Sequence, residues 1–245
     1  MRNLLKADLR RLYRNIFFIA GCILAFFITW YYTRNGAEFG IQHTSDANQY
    51  MVFVSAGVLL FFSIFPGMFQ SVEYSDGVIR NKIAIGYQQM HIYLSEYVTL
   101  CIAMMTMIVC WLVGGMFGGA VMTFELLKYT IIMMLFCMAY ASIMTMICMR
   151  ITKVMISAGL QIVVFQFGFS STIMLYAISV ALDGRAANVP KVMLNMFPIG
   201  QWFSNTSLAD VSASLGFAPQ LMLSVMVIVL FLALGTFRIN RRDVK

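Results

Sequence analysis

Six continuous apolar runs dominate the chain, at residues 16–32, 50–70, 97–117, 129–149, 154–182 and 219–237. At about 1.5 Å of rise per residue, a helix of roughly twenty apolar residues crosses the ~30 Å hydrocarbon core of a bilayer. The runs are unbroken, whereas strands of a membrane barrel alternate polar and apolar residues. They predict an all-α polytopic membrane protein with six transmembrane helices. Composition points the same way. Of the 245 residues, 61% are hydrophobic and only 11% charged, against about 25% charged in an ordinary soluble domain. A soluble domain of this size cannot hide so much apolar surface. Soluble enzymes, disordered proteins and disulfide scaffolds are excluded. The five cysteines all fall inside apolar runs without metal or redox spacing and read as small apolar packing residues.

Six spans return both termini to one side. With the termini inside, thirteen of the seventeen Lys and Arg lie on the inner face, leaving only Arg34, Lys128, Arg185 and Lys191 outside. This is the positive-inside bias, and it predicts a plasma-membrane protein with both termini cytoplasmic. The net charge of +7 then reflects topology and anionic lipid headgroups, not nucleic acid. Residues 1–15 read as an amphipathic elbow helix in the inner interface. Leu5, Leu9 and Leu12 form its apolar face, and Lys6, Arg10 and Arg14 place basic heads at phosphate level. The long basic leader and the lack of a small-residue cleavage site make the first run an uncleaved anchor. Residues 238–245 read as a basic cytoplasmic tail.

The connection at 71–96 is the most informative stretch. It is polar enough to leave the membrane, yet it keeps Val78, Ile79, Ile83 and Ile85. Gly77 and Gly86 bracket a segment of about two helical turns carrying Arg80 and Lys82. From charge patterning alone, a solvated loop with ordinary inside-positive charge explains it better than a docking helix does.

An acid, then Gly-x-Ile-Arg-Asn-Lys-Ile, then Gly, then an Ile-Tyr-Leu-Ser start to the next span resembles the permease subunits of ABC-2-type ATP-binding-cassette exporters. The likeness is greatest to the short six-span permeases of Gram-positive bacteria that confer bacteriocin immunity or peptide-antibiotic resistance. Layout resembles the family over the whole chain; the motif match is confined to 73–96. The resemblance implies that Glu73, Gly77, Ile79, Arg80, Asn81, Lys82 and Gly86 form a coupling segment that sits on a cytoplasmic ATPase subunit. Gln88 and Gln89 stand where many members carry a basic residue. The family also folds part of the outer connection, here 183–218, back into the membrane. Residues 189–203, with Pro190, Pro198 and Gly200, suit such a hairpin.

No lysine follows a glycine anywhere in the chain, so the phosphate loop of a nucleotide hydrolase is missing. The chain is expected to be no enzyme and to bind no cofactor, with ATP and Mg held by the partner subunit. The histidines, His43 and His91, form no local metal motif. No charged residue falls in the middle of a run, which argues against an ion-coupled carrier. Glu96 lies near the inner edge of the third run, where water is expected to reach it. Glu125 and Lys128 pair at helical spacing across the outer turn. Met and Phe are abundant, 21 each, and a cavity lined by them suits an amphiphilic peptide or lipid-like substrate. Gln161, Gln166 and Ser170 are polar exceptions in the fifth run that could line a path.

The expected function is therefore the membrane permease of an exporter for an amphiphilic or peptide-like substrate. Its partners would be cytoplasmic ATPase subunits, a second permease chain, identical or homologous, and membrane lipids. The alternative is a scaffold or sensor subunit that moves nothing.

Overall fold

The computed structural model describes residues 2–36, 47–151, 153–182, 184–206 and 214–237. These residues are helical throughout their regular structure, with no strand among them. Helix α1 (Arg2–Arg14) is joined by Asn15 to α2 (Ile16–Asn35). The Asn15 side chain accepts from the N–H groups of Phe17 and Phe18, which starts the new helix at an angle to the first. The second span comes in four pieces: α3 (Ala47–Val54), α4 (Ala56–Phe62), α5 (Phe65–Phe69) and α6 (Ser71–Ser75). A short helix, α7 (Val78–Ala84), precedes the long α8 (Gln89–Gly118), α9 (Phe124–Arg150) and α10 (Val154–Ala181). Then come α11 (Asn188–Met196), α12 (Pro198–Ser204) and the last span, α13 (Phe217–Thr236).

Six segments are long and apolar enough to cross a membrane: α2, α3 to α6 together, α8, α9, α10 and α13. Their limits fall within a few residues of the apolar runs except beside α7, where α6 and α8 extend into 71–96 and shorten the connection. Phe17, Leu24 and Phe27 on α2, Val163 and Phe167 on α10, and Met222 and Val229 on α13 are exposed. Apolar faces of that extent belong against lipid. The chain is an all-α multi-pass membrane protein. Its core is centred on α9, most of which is buried, while α2, α10 and α13 keep most of their surface open. The Gly-rich end of α8 packs within the chain: a Cβ on Gly114 would meet the Phe26 backbone, and one on Gly118 the Thr33 side chain.

The second span departs from the uninterrupted helix expected at 50–70, and its breaks have local causes. At the first, the Ser55 N–H and Oγ both turn to the Val52 carbonyl. The Met51 carbonyl, released from the ladder, accepts from Trp111 Nε1 at 2.9 Å. Ser55 also meets Tyr129 Oη at 2.6 Å. Further along, Pro66 lacks the N–H of a helical turn. Beside it the Gly67 N–H donates to Gln161 Oε1 of α10 at 3.0 Å. The Met51 carbonyl and the Gly67 N–H are thus each met by a side chain from another helix, as a dry interior requires.

Helices α11 and α12, between α10 and α13, fold back on the bundle. Phe197 is extended ahead of Pro198, which ends α11 and opens α12. Gly200 lies so close to the Leu194 carbonyl that no side chain fits. Every residue of α12 is buried. Trp202 Nε1 donates to the Val52 carbonyl at 3.3 Å. Beneath α12, Gln220 of α13 donates to Asn195 Oδ1 at 2.8 Å, and Ser224 donates to Gln201 Oε1 at 2.9 Å. The basic tail 238–245 and His43 lie outside the described residues.

Candidate functional site

Helix α7 is set by two glycines. Gly77 before it and Gly86 after it have φ of 69° and 100°, in the left-handed region that L side chains disfavour. Neither would meet any atom if given a Cβ, so the backbone angle alone explains the residue. Between them, Ile79 is buried against Leu4 of α1, Ile92 and Tyr93 of α8 and Met149 of α9, with Ile83 partly buried beside it. The i, i+4 pair makes one apolar face. Arg80, Asn81, Ala84 and Ile85 are exposed on the other, and Ile85 is 77% exposed.

Lys82 joins neither face. Its Nζ lies 3.0 Å from Asp8 Oδ1 of α1, 2.7 Å from Glu73 Oε2 of α6 and 3.4 Å from Glu96 Oε1 of α8. Arg11 of α1 pairs with the other oxygen of Glu73, donates to the Phe69 carbonyl at 3.0 Å and stacks 4.0 Å over the Phe69 ring. Ser95 donates to Asp8 Oδ2 at 2.6 Å. Gln70 Nε2 donates to the Glu96 carbonyl at 3.0 Å. Five charged side chains from four helices thus meet where the adjoining ends of spans two and three come together.

The cluster is nearly dry. Asp8, Glu73 and Glu96 are 2%, 2% and 1% exposed. Water therefore does not reach Glu96, contrary to the sequence expectation. The polar residues around it close the surface that its position in the chain left open. Oxygens of the three acids lie within 4.8 Å of one another, a spacing that suits a divalent cation. The Lys82 ammonium takes that central position. Burial works against its charge, but Glu96, Glu73 and Asp8 outweigh burial and raise the Lys82 pKa. Counted as ionised groups, three carboxylates face two cations, and Glu96 Oε2 has no hydrogen-bond partner among the described residues.

The proposed coupling segment thus divides. Arg80 and Asn81 face outward; Glu73 and Lys82 hold the segment in place; Ile79 packs; Gly77 and Gly86 turn the chain. Asp8, Arg11 and Ser95 escaped the sequence reading because their partners lie 62 to 87 residues away. On α1, Lys6, Arg10 and Arg14 are exposed, and the buried line is Leu4, Asp8 and Leu12, spaced by four. The three candidate path residues do not come together. Gln161 is fully buried and engaged by Gly67, and its Nε2 donates to Cys148 Sγ at 2.7 Å. Gln166 and Ser170 lie on the exposed side of α10. Lys128 Nζ lies 2.9 Å from Glu125 Oε1 on the surface.

Comparison of the chain with family models, curated proteins and solved structures finds no match.

Proposed function

We propose that the chain is the membrane subunit of an ATP-driven exporter, with α7 as the lever on which a cytoplasmic ATPase bears. The observation that carries this reading is Lys82. Through one ammonium it ties α7 to the end of span two, the start of span three and the elbow helix. A push on α7 is therefore a push on all three. The opposite face of α7 offers cationic, amide and apolar side chains at Arg80, Asn81 and Ile85, with Met90 and His91 exposed nearby. This is a mixed surface suited to a protein groove.

In this reading two permease chains enclose a path for an amphiphilic or peptide-like substrate in a bacterial plasma membrane, with both termini cytoplasmic. ATP binding in the partner biases the permease between two conformations, and this chain performs no chemistry. The test is co-purification from native membranes. The wild-type chain should bring down an ATP-binding-cassette ATPase. Arg80→Glu with Ile85→Glu should release it while leaving the thermal midpoint of the permease unchanged. An ATPase that still binds the double variant defeats the docking role of α7. A wild-type chain that binds none favours the non-transporting scaffold.

A further inference from the structure

A groove of about 440 Å³ runs along the membrane-facing side of the bundle between span one, span two and α8. Phe17, Leu24 and Ile28 of α2 form one wall, Gly57 and Phe61 of α4 the other, and Trp111 of α8 the floor. Its polar side-chain groups are already engaged: Thr29 donates to the Ala25 carbonyl at 2.6 Å, and Trp111 to the Met51 carbonyl. The lining residues run from Phe17 to Thr29 along α2, or about 18 Å at helical rise. That is close to the ~15 Å depth of one leaflet.

Two residues before Phe17, the chain enters a shallow recess lined by Ala7, Arg10, Arg11, Arg14 and Asn15. Arg11 is committed to Glu73. Arg10 and Arg14 are exposed and form no ion pair among the described residues. An apolar slot one leaflet deep therefore opens at its α1 end beside two uncommitted guanidinium groups.

We propose that this groove is a binding site for one anionic membrane phospholipid, with an acyl chain lying between spans one and two and the phosphate held by Arg10 and Arg14. Charge complementarity selects the occupant. A neutral hydrocarbon would leave both arginines unused, whereas guanidinium groups pair with phosphate in fork geometry. The absence of free polar groups along the slot suits an alkyl chain and offers nothing to a peptide backbone, which must bond its amides. The inference is independent of the exporter reading and would stand in a chain that moves no substrate.

The full chain, reconstituted in phosphatidylcholine vesicles containing a minor share of phosphatidylglycerol, is released for native mass spectrometry. Wild type should retain one phosphatidylglycerol per chain, enriched at least about tenfold over its share of the vesicle. Gly57→Phe should lose the retained lipid, since a side chain at Gly57 enters open space in the groove. Arg10→Gln with Arg14→Gln should retain a lipid but lose the anionic preference. A phosphatidylglycerol carrying a diazirine at the end of its acyl chain should label wild type near Ile28 and Val54, the far end of the groove. This arm needs no variant to fold. Retention unchanged by Gly57→Phe, or label outside α2, α3 and α4, overturns the proposal. So does a lipid-free wild-type dimer that Gly57→Phe dissociates, which would place a second copy of the chain in the groove.

Discussion

Lys82 Nζ lies 2.7 Å from Glu73 Oε2, nine residues earlier in the chain and across the turn at Gly77. Two residues that look like consecutive parts of one surface motif are thus partners facing into the protein. Removing the cation leaves three buried carboxylates with only Arg11 for company. Lys82→Met should cost about 3 kcal/mol, the lower part of the range for breaking a buried ion pair, because the ammonium keeps slight contact with water. Arg80→Ala, two residues away and exposed, should stay within about 0.5 kcal/mol of wild type. Unfolding midpoints in detergent distinguish the two, and equal losses would contradict the inward placement of Lys82.

The same cluster carries an excess of acids. Glu96→Gln keeps the shape of the side chain and carries no charge at any pH. It should leave the midpoint at pH 7 unchanged or raise it, opposite in sign to Lys82→Met. A loss comparable to that of Lys82→Met would mean that the Glu96 charge is needed to hold the ammonium.

The raised pKa of Lys82 predicts a pH dependence. Its burial opposes the charge, yet Glu96, Glu73 and Asp8 prevail. A cation whose pKa is higher folded than unfolded stabilises fully below the unfolded value, and that contribution is lost as pH climbs through the folded one. The midpoint difference between wild type and Lys82→Met should hold steady across neutral pH. It should shrink only above the ordinary lysine value of 10.5. Shrinkage starting near pH 8 would refute the direction.

Two glycines with equal space predict opposite outcomes. A Cβ at Gly77 or at Gly57 meets nothing within 4 Å. Gly77 has positive φ, so Gly77→Ala should destabilise by about 1–2 kcal/mol. Gly57 lies within helix α4, so Gly57→Ala should stabilise by about 0.5–1 kcal/mol. Thermal melts of the two single variants settle the contrast.

Sidedness is testable with single cysteines in a chain whose native cysteines are replaced. Ile85→Cys and Arg10→Cys should react with an impermeant thiol reagent from the same side of the membrane. Glu125→Cys, beyond the far end of α8, should react from the other. Labelling of Ile85→Cys and Glu125→Cys from one side would break the assignment of α8 as a span.

The span number and the short helix between Gly77 and Gly86 were legible because each rests on local pattern. Apolar runs set the spans and paired glycines set α7, whereas the fold-back of 189–203 was expected from the family resemblance, with only the break at Pro198 marked locally. The ionic cluster was not legible. Asp8 on an amphipathic helix and Glu96 at a span edge both look solvated until α1 and α7 cover them, and that is a tertiary fact. The interruptions of span two were hidden for a related reason. Val52 to Phe65 is uniformly apolar apart from Ser55, Gly57 and Ser63, and hydropathy does not reveal where a serine redirects a carbonyl. Gln161 stood out as a polar residue in an apolar run, but its use depends on Gly67, 94 residues away.

The four-piece second span has a mechanical consequence. A continuous helix transmits displacement from end to end as a stiff rod. This one is jointed, and its pieces are held by different neighbours: Tyr129 and Trp111 at the break near Ser55, Gln161 at Gly67 of α5 and Lys82 at Glu73 of α6. A force entering at the α7 end is shunted sideways into α8, α9 and α10 before it reaches the far membrane surface. The bundle, rather than any single span, is therefore the unit that yields.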